Sequence, residues 1–161
     1  MQNITPFLWF DTQAEEAAKF YVSIFPNSKF VSVVRYGDEA AKAAGRPKGS
    51  VMTVAFELGA QRFTALNGGP VFKFTEAISF VAHCKTQEQV NHLWESLSQG
   101  GTPGRCGWLK DRYGMSWQVV LDVLIELLQD KDPAKSRRVM QAMLQMNKID
   151  IAALRRAHAG N

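Results

Sequence analysis

A short apolar segment that runs into a capped amphipathic helix occurs twice in this chain, about 75 residues apart. The first copy is Ile4-Thr5-Pro6-Phe7-Leu8-Trp9-Phe10, followed by Thr12-Gln13-Ala14-Glu15. The second is Ala77-Ile78-Ser79-Phe80-Val81-Ala82-His83-Cys84, followed by Thr86-Gln87-Glu88-Gln89. Apolar runs of this length read as buried strands. Thr-x-x-Glu/Gln is a capping box: the threonine hydroxyl accepts from the third amide of the helix, and the acid or amide reaches back to the cap. One helix carries Ala14, Ala17, Ala18, Tyr21 and Phe25 on a single face, and the other carries Val90, Leu93, Trp94 and Leu97. Pro26 ends the first, since proline disfavours helix in the residue before it. Gly100-Gly101 supplies a left-handed stop for the second.

Strand-like segments follow each helix. In the first half they are residues 30–36, 51–58 and 62–66, the last two joined by the hairpin-sized turn Gly59-Ala60-Gln61. Residues 37–50 are polar and rich in Ala, Gly and Lys, and read as a loop. In the second half the strands are compressed into roughly 105–110 and 115–121. Both halves therefore read as β-α-β-β-β, and no linker composition separates them. The expected class is α+β: one domain over residues 1–130 built from two βαβββ modules, about 1–72 and 73–130. A C-terminal helical extension over 131–161 follows, starting at Asp132-Pro133 with proline at the first helical position.

Charge narrows the function classes. Residues 131–161 hold seven Lys/Arg against two Asp/Glu, whereas residues 1–130 hold twelve against thirteen, so the net charge of +4 resides in the tail. A nucleic-acid binder is expected to carry its basic stripe across the folded body, and none is expected here. No apolar run approaches the roughly 20 residues of a membrane span. The first residues have no signal-like core, and Cys84 and Cys106 are too few for a disulfide framework. A cytoplasmic protein with free thiols is the plain expectation.

Several segments carry a family resemblance. They are the first strand, the helix Ala14-Glu15-Glu16-Ala17-Ala18-Lys19-Phe20-Tyr21, Ile24-Phe25-Pro26-Asn27-Ser28, Leu66-Asn67-Gly68-Gly69-Pro70, the run from Cys106-Gly107-Trp108 through Asp111-Arg112-Tyr113-Gly114 to Gln118-Val119-Val120, and the terminal Lys148-Ile149-Asp150-Ile151-Ala152-Ala153-Leu154. In that order they resemble the PhnB-like branch of the vicinal oxygen chelate superfamily, which includes glyoxalases, bleomycin resistance proteins and dioxygenases. Many members of the branch bear the name 3-demethylubiquinone-9 3-methyltransferase. Methyl donors of the S-adenosylmethionine type sit at Gly-rich strand-to-helix turns of doubly wound sheets. This chain has no Gly-x-Gly, and its strand-to-helix turns are Asp11-Thr12 and Lys85-Thr86.

The resemblance implies a divalent-metal site with four side-chain ligands. The matching positions are Thr5 or Pro6, Asn67, Ser79 and Gln118, none of which is His, Glu, Asp or Cys. Neutral amides and hydroxyls do not offset the cost of dehydrating a divalent ion, so no metal cofactor is expected. By strand alternation Ser79, Val81 and His83 share a face, as do Ser116, Gln118 and Val120, and as do Phe63, Ala65 and Asn67. The expected site is a mostly apolar cavity where Asn67, Ser79 and Gln118 converge with Thr5, His83 and Trp108 on a small organic molecule. The same residues would equally serve to satisfy one another in a filled core.

No catalytic group is assigned from sequence. His83 has the titration range of a general base but also suits a packed strand histidine. His92 falls beside the Leu93-Trp94 stripe and reads as exposed. Cys106 lacks an identifiable base, Trp117 suits a core as well as a ligand stack, and Asp111 and Arg112 read as turn residues. The leading expectation is a small-molecule binder without nucleic-acid or membrane partners, and the resemblance implies a homodimer. The alternatives are an enzyme acting on a small metabolite or xenobiotic, and a drug-sequestering resistance protein.

Overall fold

In the computed structural model, which describes residues 4–160, the chain divides into two compact units, one ending at Phe74 and the other starting at Thr75. Each is built on one mixed four-stranded sheet.

The first unit runs β1 (Phe7–Phe10), α1 (Ala14–Ile24), β2 (Lys29–Arg35), α2 (Asp38–Ala44), β3 (Val51–Leu58) and β4 (Gln61–Asn67). The sheet order is β1-β4-β3-β2, with β1 parallel to β4 and the other pairs antiparallel. Ala14, Ala17, Ala18, Tyr21 and Ile24 of α1 are buried, as are Val54, Phe56, Phe63 and Ala65 of the strands beneath. Three alanines let the helix approach closely, and Tyr21 stacks on Phe56 at 6.2 Å between ring centroids. Phe56 in turn stacks on Phe63 at 5.3 Å. Fully burying side chains of this size stabilises the fold by about 1.5–3 kcal/mol each.

Two expectations for this unit change. Residues 37–50 contain α2, a helix of seven residues closed by Gly45 in the left-handed region at φ 62°. Four alanines among polar residues carry the helix propensity that a reading by polarity missed. The capping box at Thr12 does not form either: the residue flanking α1 is Gln13, and neither its side chain nor that of Thr12 caps the helix. Asn67 supplies the cap from β4, its Oδ1 accepting from the Ala14 amide at 2.8 Å.

The second unit runs β5 (Phe80–Cys84), α3 (Gln87–Ser98), β6 (Thr102–Pro103), β7 (Trp108–Lys110), β8 (Ser116–Leu121), α4 (Asp122–Leu128), α5 (Pro133–Leu144) and α6 (Ile151–Ala159). Its sheet order is β5-β8-β7-β6, with β5 parallel to β8. Here the cap forms: Thr86 Oγ1 accepts from the Gln89 amide at 3.3 Å, and Gln89 Oε1 accepts from the Lys85 amide at 2.7 Å. Val90, Leu93, Trp94 and Leu97 are buried, together with Ala82, Cys84, Leu109, Trp117, Val119 and Leu121 of the sheet.

The segment expected to be strand over 105–110 begins only at Trp108, because Cys106 and Gly107 both take positive φ (56° and 84°). That turn docks the C-terminal helices. The Cys106 and Gly107 amides donate to Met146 and Asn147 carbonyls, each at 2.8 Å. Gln87 bridges the same junction, donating to the Ile149 carbonyl at 3.0 Å and accepting from the Ile151 amide at 2.8 Å. Residues 131–160 are thus tied into the second unit. Asp132 and Asp150 cap α5 and α6. Among the described residues no helix is long and apolar enough to cross a membrane.

Candidate functional site

Both faces of the second sheet are occupied differently. α3 covers one, and the opposite face carries the residues of odd parity in β5 and even parity in β7 and β8. The register places Val81 beside Gln118, His83 beside Val120, and Trp108 on the other side of Gln118. Paired positions project to the same side of a sheet. Val81 is 44% exposed and Trp108 37%, whereas Ala82, Leu109, Val119 and Leu121 on the α3 side are buried. Gln118 sits at the centre of this patch, and its Nε2 donates to Ser79 Oγ at 2.9 Å.

At the carboxyl end of the parallel pair, His83 meets Asp122, the first residue of α4. The Nδ1 to Oδ1 separation is 3.1 Å, with side-chain exposures of 58% and 43%. A carboxylate only accepts, so Nδ1 carries the proton and Nε2 presents a lone pair when the imidazole is neutral. The adjacent Cys84 points to the α3 side. Burial, and secondarily the Asp122 carboxylate, push its thiol up to about 11. On the patch's margin Lys110 Nζ pairs with Glu76 at 2.7 Å, and that ammonium leads in holding the Glu76 carboxyl below its ordinary range.

The other expected site residues go elsewhere. Phe63, Ala65 and Asn67 do share one face, but it is the face under α1. The Asn67 Oδ1 caps α1, its Nδ2 donates to the Val51 carbonyl at 3.1 Å, and its own carbonyl accepts from the Tyr36 hydroxyl at 2.8 Å. Both polar ends of that side chain are therefore engaged in holding the first unit together. Thr5 is exposed ahead of β1. Trp117 is buried on the α3 side, where its Nε1 donates to Asp111 Oδ2 at 2.9 Å and its ring tilts against Phe80 at 5.6 Å. Asp111, buried, also accepts from the Tyr113 and Met115 amides through Oδ1, at 2.8 and 3.0 Å, so it organises the turn ahead of β8. His92 is exposed on α3. Cys106 is half-buried with its Sγ 3.6 Å from the Met143 carbonyl.

The metal-ligand positions implied by the resemblance do not fit a divalent ion. Asn67 is committed to a helix cap, Ser79 and Gln118 bond to each other, and all three are neutral. Among the described residues no group of three or more His, Cys, Asp or Glu side chains is placed to hold a metal. Sequence reasoning missed Asp122, and Glu76 at the margin. Asp122 is found from the register: in a parallel pair that sets His83 beside Val120, the acid two residues further on lies at the histidine's edge.

Residues 2–120 match the family model described as 3-demethylubiquinone-9 3-methyltransferase. The PhnB protein of Bacillus cereus superposes with a TM-score of 0.67 at 35% identity, over 74% of this chain and 99% of that one. A Pseudomonas aeruginosa protein gives 0.61 at 19% identity, over 75% and 98%. The fosfomycin resistance protein FosX of Listeria monocytogenes gives 0.53 at 15% identity, over 80% and 98%. The last two are likenesses of fold. No curated protein matches the chain.

Proposed function

The chain belongs to the 3-demethylubiquinone-9 3-methyltransferase-like (PhnB) family of the vicinal oxygen chelate superfamily, and from that premise we propose that it binds a small organic molecule on the second sheet, without a tightly bound divalent metal. The observation that carries this reading is the Gln118–Ser79 pair, set between the exposed Trp108 ring and Val81 on the face turned away from α3. An amide has four hydrogen-bonding positions and a hydroxyl three, so their mutual bond leaves donors and acceptors for a ligand. Apolar walls with a few placed polar groups are what small-molecule sites are made of.

The methyltransferase name of the family does not extend to this chain's chemistry on our reading. Each sheet is four-stranded and mixed rather than doubly wound, and the strand-to-helix turns, Asp11-Thr12 and Lys85-Thr86, are not Gly-rich. We take the working form to be a cytoplasmic homodimer. Two free cysteines suit a reducing compartment, and Phe7 and Val34, 60% and 49% exposed, are apolar surface that a second copy would cover.

The test is a set of one-ring organic fragments titrated into metal-stripped protein while tryptophan fluorescence is followed. Binding that survives chelation and weakens about tenfold in Gln118→Ala supports the reading. Binding that requires added metal, or that is indifferent to Gln118→Ala and Trp108→Ala, removes it.

A further inference from the structure

Resting on that reading of the second sheet, we propose that the Asp122–His83 pair is the proton acceptor of the face, and that the molecule bound there is a weak oxygen acid that gives up its hydroxyl proton on binding. Three observations place it. His83 is on the same face as Gln118, one strand over and two residues along, a diagonal of about 7–8 Å. Its Nδ1–H is held by Asp122 Oδ1 at 3.1 Å, and its Nε2 has no partner among the described residues. Its side chain is 58% exposed, which leaves the ring open to a molecule approaching that face.

The neighbouring groups select the chemistry. A carboxylate behind an imidazole fixes the tautomer and stabilises the imidazolium that proton uptake creates. In the step itself the ligand's O–H bond breaks, an N–H bond forms at Nε2, and the oxyanion stays beside an imidazolium paired with Asp122. No oxidant, reductant or metal enters. The centre of the patch is neutral, with the Gln118 amide, the Ser79 hydroxyl, the Trp108 indole and two valines, and the charge at its margin, Lys110, is paired with Glu76 at 2.7 Å. Such donors do not acidify a carbon, so an oxygen acid is favoured over an enolisable carbonyl. The diagonal fits a molecule whose hydroxyl and second polar group are separated by about one ring. Cys84, the other titratable group beside Asp122, stays protonated because it is buried on the opposite face.

A chromogenic phenol such as 4-nitrophenol, whose ionised form absorbs in the visible, tests this directly. Two readouts are taken at about pH 7.5, where an ordinary imidazole is mostly neutral, and the visible band is read as its increase over the same concentration of free probe. Tryptophan quenching that is lost in Trp108→Phe reports occupancy of the face, and the visible band reports the proton. The native chain is expected to quench and to show the band. His83→Gln is expected to lose the band even at probe concentrations raised until the quench is full, and Asp122→Asn to weaken the band about tenfold. Both positions are exposed, and thermal unfolding checks that the variants fold. A band that persists in His83→Gln, or quenching of the native chain with no band, overturns the proton-acceptor assignment while leaving the face as a binding site. Neither quenching nor band overturns both.

Discussion

Replacing Asn67 by alanine separates a structural role from a ligand role at one position. The side chain is nearly inaccessible (5% exposed) and makes two bonds within the first unit. Losing the Oδ1 acceptor uncaps α1 at Ala14, which costs about 1 kcal/mol. Losing the Nδ2 donor strips a partner from the Val51 carbonyl at 3.1 Å, costing about 1–2 kcal/mol more. The expected loss is therefore about 2–3 kcal/mol, or a Tm lower by roughly 4–12 °C for a chain of this size. Thermal and urea unfolding followed by circular dichroism measures it. Asn67→Asp keeps the acceptor and should fall between the two. Gln118→Ala, on the patch of the second sheet, should stay within about 0.5 kcal/mol of the native chain. If Asn67→Ala is as stable as Gln118→Ala, or abolishes ligand binding at unchanged stability, the cap assignment is refuted.

Gly107→Ala should destabilise by at least about 2 kcal/mol, since φ is 84° and an added Cβ would lie 2.6 Å from the Val119 carbonyl oxygen; urea unfolding reads the loss. Cys84 should resist iodoacetamide at pH 8 in the folded chain, because a thiol pushed up to about 11 leaves about one part in a thousand as thiolate; mass spectrometry of the labelled peptides checks it. Asp130 accepts from the Asp132 amide and from His158, in that order of weight, which holds its carboxyl below the usual range. A depressed folded value stabilises above the unfolded value of about 3.9 and is lost as pH falls through the lower, folded one. The stability gap between the native chain and Asp130→Asn should accordingly be present at pH 7 and close below about pH 4, as pH-dependent melting curves would record.

The duplicated plan was legible because strand, cap and helix face each have a short-range signature, and both β-α-β-β-β modules appear in order. Two local failures have one cause. At α1 a long-range residue, Asn67, took over a role that Thr12 was positioned to fill, and sequence spacing carries no information about a partner 53 residues away. The same bond explains why Asn67 was placed on the wrong side of its sheet: alternation groups Phe63, Ala65 and Asn67 correctly but does not say which group a helix covers. In the second unit alternation placed Ser79 with His83 and Gln118 with Val120 on their own strands, and it was the family resemblance that brought Ser79 and Gln118 to one place. The histidine's partner needed the register of β5 against β8, which is fixed by the fold rather than by neighbours in the chain. At Arg105-Cys106-Gly107, the compact turn that seats the C-terminal helices depends on contacts with Met146 and Asn147, again beyond local reach.

Protein-observed amide NMR on the metal-stripped chain, titrated with one-ring fragments bearing a hydroxyl, shows whether the open face of the second sheet is a metal-free binding site. Saturable shifts are expected to concentrate at Ser79, Val81, His83, Trp108, Gln118 and Val120, with Asn67 and its neighbours under α1 unmoved. Shifts scattered over the surface, centred on the first unit, or seen only after a divalent metal is restored would contradict it.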